Sequence, residues 1–545
     1  MSEKMLSRVF YGAAAAVILI FIGISSWYIE SPGLYYDEVL FVNAALQQPQ
    51  GDTYIYKTWF GIPVMVMPYI GALKSLIYRP IFALCGVSVA AIRLPVIFIS
   101  AGTLWLGFLL SRGLFKGHPH VFPLLFVMVM ATDPAFIINS RLDYGPVVLM
   151  LFFKMLSLYL FFRMIQEKSV PRLAGLLICL LAGLYDKLNF IWHIIGLGMA
   201  AAAIFYQELA GIVRRNPFKV MACMAGFGGI LVWAGFHTIL PLLNSPSMIP
   251  ARSLYEKLKF VEVLYLITMN GIAFYLFLFN ALPETVTLAN TLLSFSGAGL
   301  LAYLWIHQQN HLTLKCDPWV IRLASFFLFS GLLITAQIAL TRQAGGQHHF
   351  MILYPYHHLL MFSVLYGWTR MIPLGRRWIA WGVVIVITGM LIHSQTAMMK
   401  NYFSGFKEEK GFDARWDTRI YDLAGDLNTM DADAVLSTDW GLHNQISALA
   451  DEGRRGRYHD CWQIFNVPLP DTIKQWMYET RFKGKTTCII THGQDFLIMK
   501  NTRKHFFDFA DQYELNMELI QQYKNSQGQI LYEIYCSTEL RNSME

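Results

Sequence analysis

The chain has 545 residues, 55% of them hydrophobic and only 14% charged. Soluble domains average about 25% charged residues, so a soluble globular protein is excluded and a polytopic membrane protein is indicated. The formal charge of +7 fits short basic cytoplasmic loops and gives no ground for nucleic-acid binding.

In chain order, residues 1–8 are short and basic and 10–28 are apolar and long enough to span. No small-residue cleavage site precedes SPGLYYDE, so the sequence predicts a retained first helix with its start in the cytoplasm. The stretch 31–46, SPGLYYDEVLFVNAAL, then lies outside, with Tyr35 and Tyr36 ahead of Asp37 and Glu38. Residues 47–80 read as a long external loop with interfacial helices. Spans are predicted over 81–110 and 121–138, joined by the basic SRGLFKGHPH inside. NSRLDYG at 139–145 is external, and Pro146 opens a helix reaching about 162.

Residues 173–206 read as two short spans, broken at YDKLN near the outer face. A span over 220–243 leads to an external loop carrying Arg252 and Lys257. Residues 261–282 are long enough to span, but counting them would place RMIPLGRRW outside, against the positive-inside rule. They are therefore read as interfacial or re-entrant. Spans over 287–305, 321–340, 350–368 and 378–398 bring the total to about eleven, with an external C-terminus.

From residue 400 the composition turns polar. DADAVLSTDWG, HNQISALADEG, TTCIITHG and QGQILYEIYC alternate strand-like and helix-like patterns. The expected organisation is a membrane domain over 1–399, with 31–80 as its first external loop, and a soluble extracytoplasmic α/β domain over 400–545. The seven cysteines show no metal-ligand spacing. Cys85, Cys179 and Cys223 lie in apolar runs as small hydrophobes; one disulfide among Cys461, Cys488 and Cys536 is open, but spacing does not select it.

Three polar groups fall on the outer face. Asp37 and Glu38 read either as acid/base groups or as an acidic turn favouring a helix N-terminus. Arg141, Asp143 and Tyr144 form the second group, in which Asp143 alternatively caps the next helix. The third is Arg342 with His348 and His349, followed by Tyr354, Tyr356, His357 and His358. These histidines are interfacial or ligate a metal, but His349 and His358 are too far apart along one helix to share an ion, so no metal is expected.

External Lys57, Lys74, Arg252 and Lys257 are individually solvated or headgroup contacts. With the carboxylates they suggest a site that binds a lipid phosphate and activates a hydroxyl. Lys154 sits mid-helix, where a charge is functional by default unless it snorkels or pairs within the bundle. Asp186 and Lys187 read as a pair at a helix break, and STDWG as a structural turn. No glycine-rich phosphate loop is present, which disfavours a nucleotide-driven pump or a nucleotide-sugar enzyme.

The stretch 31–46 resembles the first external loop of the C-type (GT-C fold) glycosyltransferases that use polyprenyl-phosphate sugars. These include glycosyltransferase family 39, the protein O-mannosyltransferases, and the lipid A aminoarabinose transferases. The matching elements are Asp37-Glu38, Tyr56-Lys57, Pro63 with Pro68, Arg93-Leu94-Pro95, Asp143 in SRLDYGP, and the late HHFMILYP. The sequence departs from the aminoarabinose transferases at Lys57-Thr58, where they have a Lys-Pro-Pro run. It departs again at His348-His349, where an Arg-Tyr pair is common.

The resemblance implies a polytopic α-helical, GT-C-like membrane enzyme in a bacterial inner membrane. Such an enzyme transfers a sugar from a polyprenyl phosphate to an acceptor hydroxyl of a lipid, glycan or protein on the outer face, with inversion. It implies catalytic roles for Asp37 as base and for Glu38 and Asp143. Lys57, Arg342, His348 and His349 would stabilise the departing phosphate. Tyr36, Tyr56, Lys74, Arg141, Tyr144, Arg252 and Tyr354 would contact donor or acceptor. No cofactor is required. A transporter of lipid-linked substrates needs a polar path through the bilayer, whereas most charges here fall in loops; an inactive envelope scaffold is a third reading.

Overall fold

The computed structural model describes residues 2–47, 57–118, 120–240, 253–285, 297–299, 301–302, 317–341, 346–408 and 412–537. Helix α1 (Glu3–Ser26) is followed by the short α2 (Tyr36–Ala45) and a three-stranded antiparallel sheet, β1 (Lys57–Trp59), β2 (Ile62–Met67) and β3 (Ile70–Gly71). Next come α3 (Leu73–Cys85), α4 (Val89–Leu114), α5 (Val121–Thr132), α6 (Pro134–Leu142), α7 (Val148–Glu167), α8 (Val170–Asp186), α9 (Ile191–Ile204), α10 (Tyr206–Arg215) and α11 (Pro217–Ala234). The helical part continues with α12 (Leu254–Met269), α13 (Ile272–Phe279), α14 (Pro318–Leu340), α15 (Gln347–Phe350), α16 (Tyr356–Met371) and α17 (Arg377–Glu408). The tail holds α18 (Arg419–Thr429), β4 (Ala434–Ser437), α19 (Leu442–Leu449), β5 (Tyr458–Asp460), α20 (Asp471–Met477), β6 (Thr487–His492), α21 (Thr502–Gln512), β7 (Met517–Lys524) and β8 (Ile530–Ser537).

Among the described residues, six helices are long and apolar enough to cross a membrane, or nine spans if each of three bent pairs is one crossing. The eleven expected from sequence include 287–305, of which only 297–299 and 301–302 are described. The bends have local causes. Asp133 ends α5 and caps α6, its Oδ1 accepting from the amides of Ala135 and Phe136 at 2.9 and 3.3 Å, with Pro134 at the first helical position. The segment expected to be interfacial or re-entrant, 261–282, falls in α12 and α13, bent by 85°. YDKLN breaks the chain between α8 and α9, as its polarity predicts.

The chain parts into two compact units. The membrane unit comprises Met1–Trp27, Val96–Leu276 and Ala281–Tyr402; the tail unit comprises Tyr28–Pro95, Phe277–Asn280 and Phe403–Glu545. The first loop, read from sequence with the membrane domain, thus groups with the tail.

In the membrane unit the apolar helices interlock through aromatic rings. Phe161 of α7 stacks on Phe326 of α14 at 5.3 Å, and Phe205 packs edge-on against both. Such packing supplies much of helix association where lipid removes the hydrophobic drive.

The tail is a five-stranded sheet in the order β5-β4-β6-β8-β7, parallel across β5-β4-β6 and antiparallel beyond. Alternate residues of β4 and β6 feed two cores: Val435, Cys488 and Ile490 with α18 and α19, and Leu436 and Ile489 with α20 and α21. Helices on both faces explain why β6 is buried along its whole length. A disulfide joins register partners Cys488 and Cys536, the pair that spacing did not select.

Candidate active site

The tail unit separates the two acids of the first loop. Glu38 is 2% exposed, and its carboxylate takes a two-pronged ion pair from Arg93, with Nε to Oε1 at 2.7 Å and Nη2 to Oε2 at 3.0 Å. It also accepts from the Tyr35 amide at 3.2 Å, closing the first turn of α2. Arg93 spends its other donors on the carbonyls of Ile29, Pro32 and Gly33 at 2.7, 2.8 and 3.2 Å. Glu38 and Arg93 therefore neutralise one another and hold the loop's shape. Asp37, one position earlier on the helix, is the one residue between 31 and 45 that is not buried.

Aromatic groups surround Asp37. Burial and then the Asp37 carboxylate push the Tyr69 phenol up to about 12, and the same two causes raise Tyr35. Tyr35 stacks on Trp416 at 4.2 Å and meets Phe277 edge-on at 5.5 Å. Tyr36, read from sequence as a substrate contact, lies against Trp440 of the STDWG turn, with ring centres 4.3 Å apart. In that turn Asp439 accepts from the amides of Trp440, Ile498 and Met499 and pairs with His492 Nδ1 at 2.7 Å, a structural knot.

The tail grips the first loop elsewhere too. The Gly33 amide donates to the Trp416 carbonyl at 2.7 Å, and a Cβ at Gly33 would lie 2.3 Å from the Asp417 carbonyl oxygen. Asn43 donates to the Asn444 carbonyl at 2.9 Å, and Gln445 to that of Leu34. The two lysines of the loop differ. Lys57 is exposed on β1, whereas Lys74 is buried with its ammonium 3.9 Å from the centre of the Phe41 ring on α2.

A second polar centre forms within the membrane unit, where three distant segments converge. Asp143 ends α6 in the left-handed region, and its Oδ1 accepts from the amides of Val147 and Val148 at 2.8 Å each. It therefore fills the capping role weighed from sequence. Arg141 is buried in the last turn of α6. Gly145, at φ +73°, lies so close to His348 that a Cβ would be 2.6 Å from the ring. Tyr144 meets the same ring edge-on at 5.7 Å. Lys187, from the break between α8 and α9, donates to the Gly145 carbonyl, and Asn189 Nδ2 is 3.5 Å from His349 Nδ1. Burial and then the Lys187 ammonium hold the His349 imidazole down at about 3, which makes it a neutral hydrogen-bonding group near pH 7. Lys187 is the cation of this cluster that the sequence reading missed; its position at a polar break within an apolar run was the available signal.

The Tyr354 ring stacks on Phe136 at 5.5 Å and approaches His357 and His358. The Tyr354 and Ile352 carbonyls accept from the ammonium of Lys154, which also sits 4.0 Å from the centre of the Tyr356 ring. Lys154 thus satisfies backbone freed at the turn before α16. Arg342, Tyr56 and Arg252 lie outside the described residues.

The chain has a GT-C-like fold, shown by its likeness to solved structures. The solved structure of ArnT from Cupriavidus metallidurans bound to undecaprenyl phosphate superposes with a TM-score of 0.55 over 98% of both chains at 11% identity. Its apo form gives 0.55 over 96% of this chain and 98% of that one, at 10% identity. The Archaeoglobus fulgidus oligosaccharyltransferase tethered to an acceptor peptide gives 0.46 at 13% identity, over 95% of this chain and 74% of that one. No protein-family model and no curated protein matches the sequence.

Proposed function

We propose that the chain is a membrane glycosyltransferase, moving a hexosyl or pentosyl unit from a polyprenyl-phosphate donor to an acceptor hydroxyl on the periplasmic face of a bacterial inner membrane. The acceptor is a lipid, glycan or protein. The observation that carries this reading is the division of the acidic pair, with Glu38 neutralised by Arg93 and Asp37 only partly buried. The GT-C fold supports it, as does the solved complex of the similar ArnT with undecaprenyl phosphate.

In the reaction the acceptor oxygen attacks the anomeric carbon as the bond to the phosphate oxygen breaks, which inverts that centre. The acceptor proton passes to Asp37. The polyprenyl phosphate leaves as a stable anion, so cations rather than a strong acid assist it. Lys57 and Arg342 are assigned to anionic groups of the donor; within the membrane unit, Lys187 with His348 and His349 forms a separate polar centre assigned to hydrogen bonding. Glu38 and Asp143 position the backbone around their respective segments. The Cys488–Cys536 disulfide supports an oxidising, extracytoplasmic compartment for the tail.

The test is Asp37→Asn in inverted and right-side-out vesicles supplied with radiolabelled polyprenyl-phosphate sugars. Transfer should fall by about 100-fold or more, a general base contributing about 10²–10⁴, with membrane expression intact. Wild-type turnover in that variant would remove Asp37 from the chemistry.

A further inference from the structure

Where α5 breaks into α6, the membrane unit carries a group of ligand-type side chains that the proposed transfer does not use. Asp133 at the break and His357 and His358 in the first turn of α16 are all buried. One ligand atom from each lies within 4.8 Å of the others. Both ring nitrogens of His357 and both of His358 lack a hydrogen-bond partner among the described residues. Buried polar groups normally find partners, and leaving one unsatisfied is costly. Each neutral imidazole offers one lone pair, so the two rings and the buried carboxylate form a three-atom donor set awaiting an acceptor of lone pairs.

We propose that Asp133, His357 and His358 bind one divalent first-row transition metal, with Zn²⁺ the best match to two imidazoles and a carboxylate. His358 Nε2 and Asp133 Oδ2 stand 3.5 Å apart. Bonds of about 2.0–2.1 Å to tetrahedral Zn²⁺ give a ligand-to-ligand edge of roughly 3.4 Å, so this edge already has the required length. The ligand atom of His357 lies within 4.8 Å of both. The Asp133 carboxylate is held in place at both oxygens. Its Oδ1 is pinned by the α6 amides, while Oδ2 accepts from Gln395 Nε2 at 3.3 Å. Gln395 is itself fixed by the Thr132 hydroxyl, which donates to its Oε1 at 2.7 Å. Such outer partners orient metal ligands and are part of a working site. The Tyr354 ring lies 5.6 and 5.1 Å from the rings of His357 and His358, and its hydroxyl is also without a partner among the described residues. The ion ties the α5–α6 break to α16, a structural role independent of the transfer chemistry.

The experiment uses the full chain carrying a tag without histidine, purified in detergent without chelator, with elemental analysis by plasma mass spectrometry. About one Zn²⁺ or related ion per chain is expected, retained in the exposed-residue control His393→Gln and reduced at least tenfold in Asp133→Asn and in His357→Gln/His358→Gln. Chelated wild-type protein titrated with Co²⁺ should develop the ligand-field absorption of a nitrogen- and oxygen-ligated ion, saturating at one equivalent and displaced by Zn²⁺. It should also melt several degrees higher with the ion bound. The wild-type titration decides the matter if the variants fail to fold. Absence of both native metal and the Co²⁺ spectrum would overturn the site, as would equal metal content in the His357→Gln/His358→Gln protein.

Discussion

Replacing Glu38 with Gln tests whether the acidic pair divides into a chemical and a positioning member. The variant keeps the side-chain shape and one oxygen acceptor but leaves the fully buried Arg93 guanidinium without its counter-charge. Breaking a buried ion pair costs about 3–5 kcal/mol. The three carbonyl acceptors that Arg93 retains place Glu38→Gln near the lower end, about 3 kcal/mol. Arg93→Met loses those bonds as well and should cost about 5 kcal/mol. At about 2–4 °C per kcal/mol for a unit of 150–250 residues, Glu38→Gln should melt roughly 6–12 °C below wild type. A thiol-reactive dye on detergent-purified protein reads the transition. The double variant should be less unstable than the sum, with a coupling energy of about 2 kcal/mol. Below its melting point Glu38→Gln should still transfer sugar. A variant that melts like wild type yet has lost transfer would refute the division and make Glu38 part of the chemistry.

Further outcomes are expected away from the acidic pair. Cys488→Ser/Cys536→Ser opens a loop with a sequence separation of 48 residues and should lose about 4 kcal/mol of tail stability by chain entropy, read as an earlier denaturant midpoint. Lys154→Met leaves the Ile352 and Tyr354 carbonyls without their donor, at about 1–3 kcal/mol each, and should lower the yield of monodisperse protein and its melting temperature. Burial, then Arg481, holds the tail's His459 down at about 4, whereas an unfolded histidine titrates near 6.5. Between these values the unfolded chain binds more protons, so stability should be complete above about pH 6.5 and fall as pH drops toward 4. His459→Gln should flatten that part of the denaturation profile.

The periodicities of the chain make much of the fold legible. Long apolar runs announce the membrane unit, and the alternating patterns after residue 400 announce an α/β tail. YDKLN announces a break because its polar residues interrupt an apolar run. Asp37 and Glu38 are visible as a pair but not separable, since the partner that distinguishes them, Arg93, lies 55 residues on within an Arg-Leu-Pro motif readable only as a helix opening. For Lys187 the sequence offers only its neighbour Asp186 as a partner, while the Gly145 carbonyl it reaches is 42 residues away. Likewise His357 and His358 can be compared only with histidines on their own stretch; nothing local points to Asp133 across the bundle.

The clasp between the first loop and the tail bears on how the chain is made. Asn43 waits for Asn444, 401 residues later, and translation at about 5–20 residues per second puts roughly 20–80 seconds between them. During that interval the loop bearing Asp37 lacks Trp416 and Gln445, the groups that grip Gly33 and Leu34. A chain stopped before residue 416 would insert most of its helices yet never assemble that loop. The Asp37 carboxylate is thus finished last, which keeps incomplete chains from presenting an ordered acidic loop.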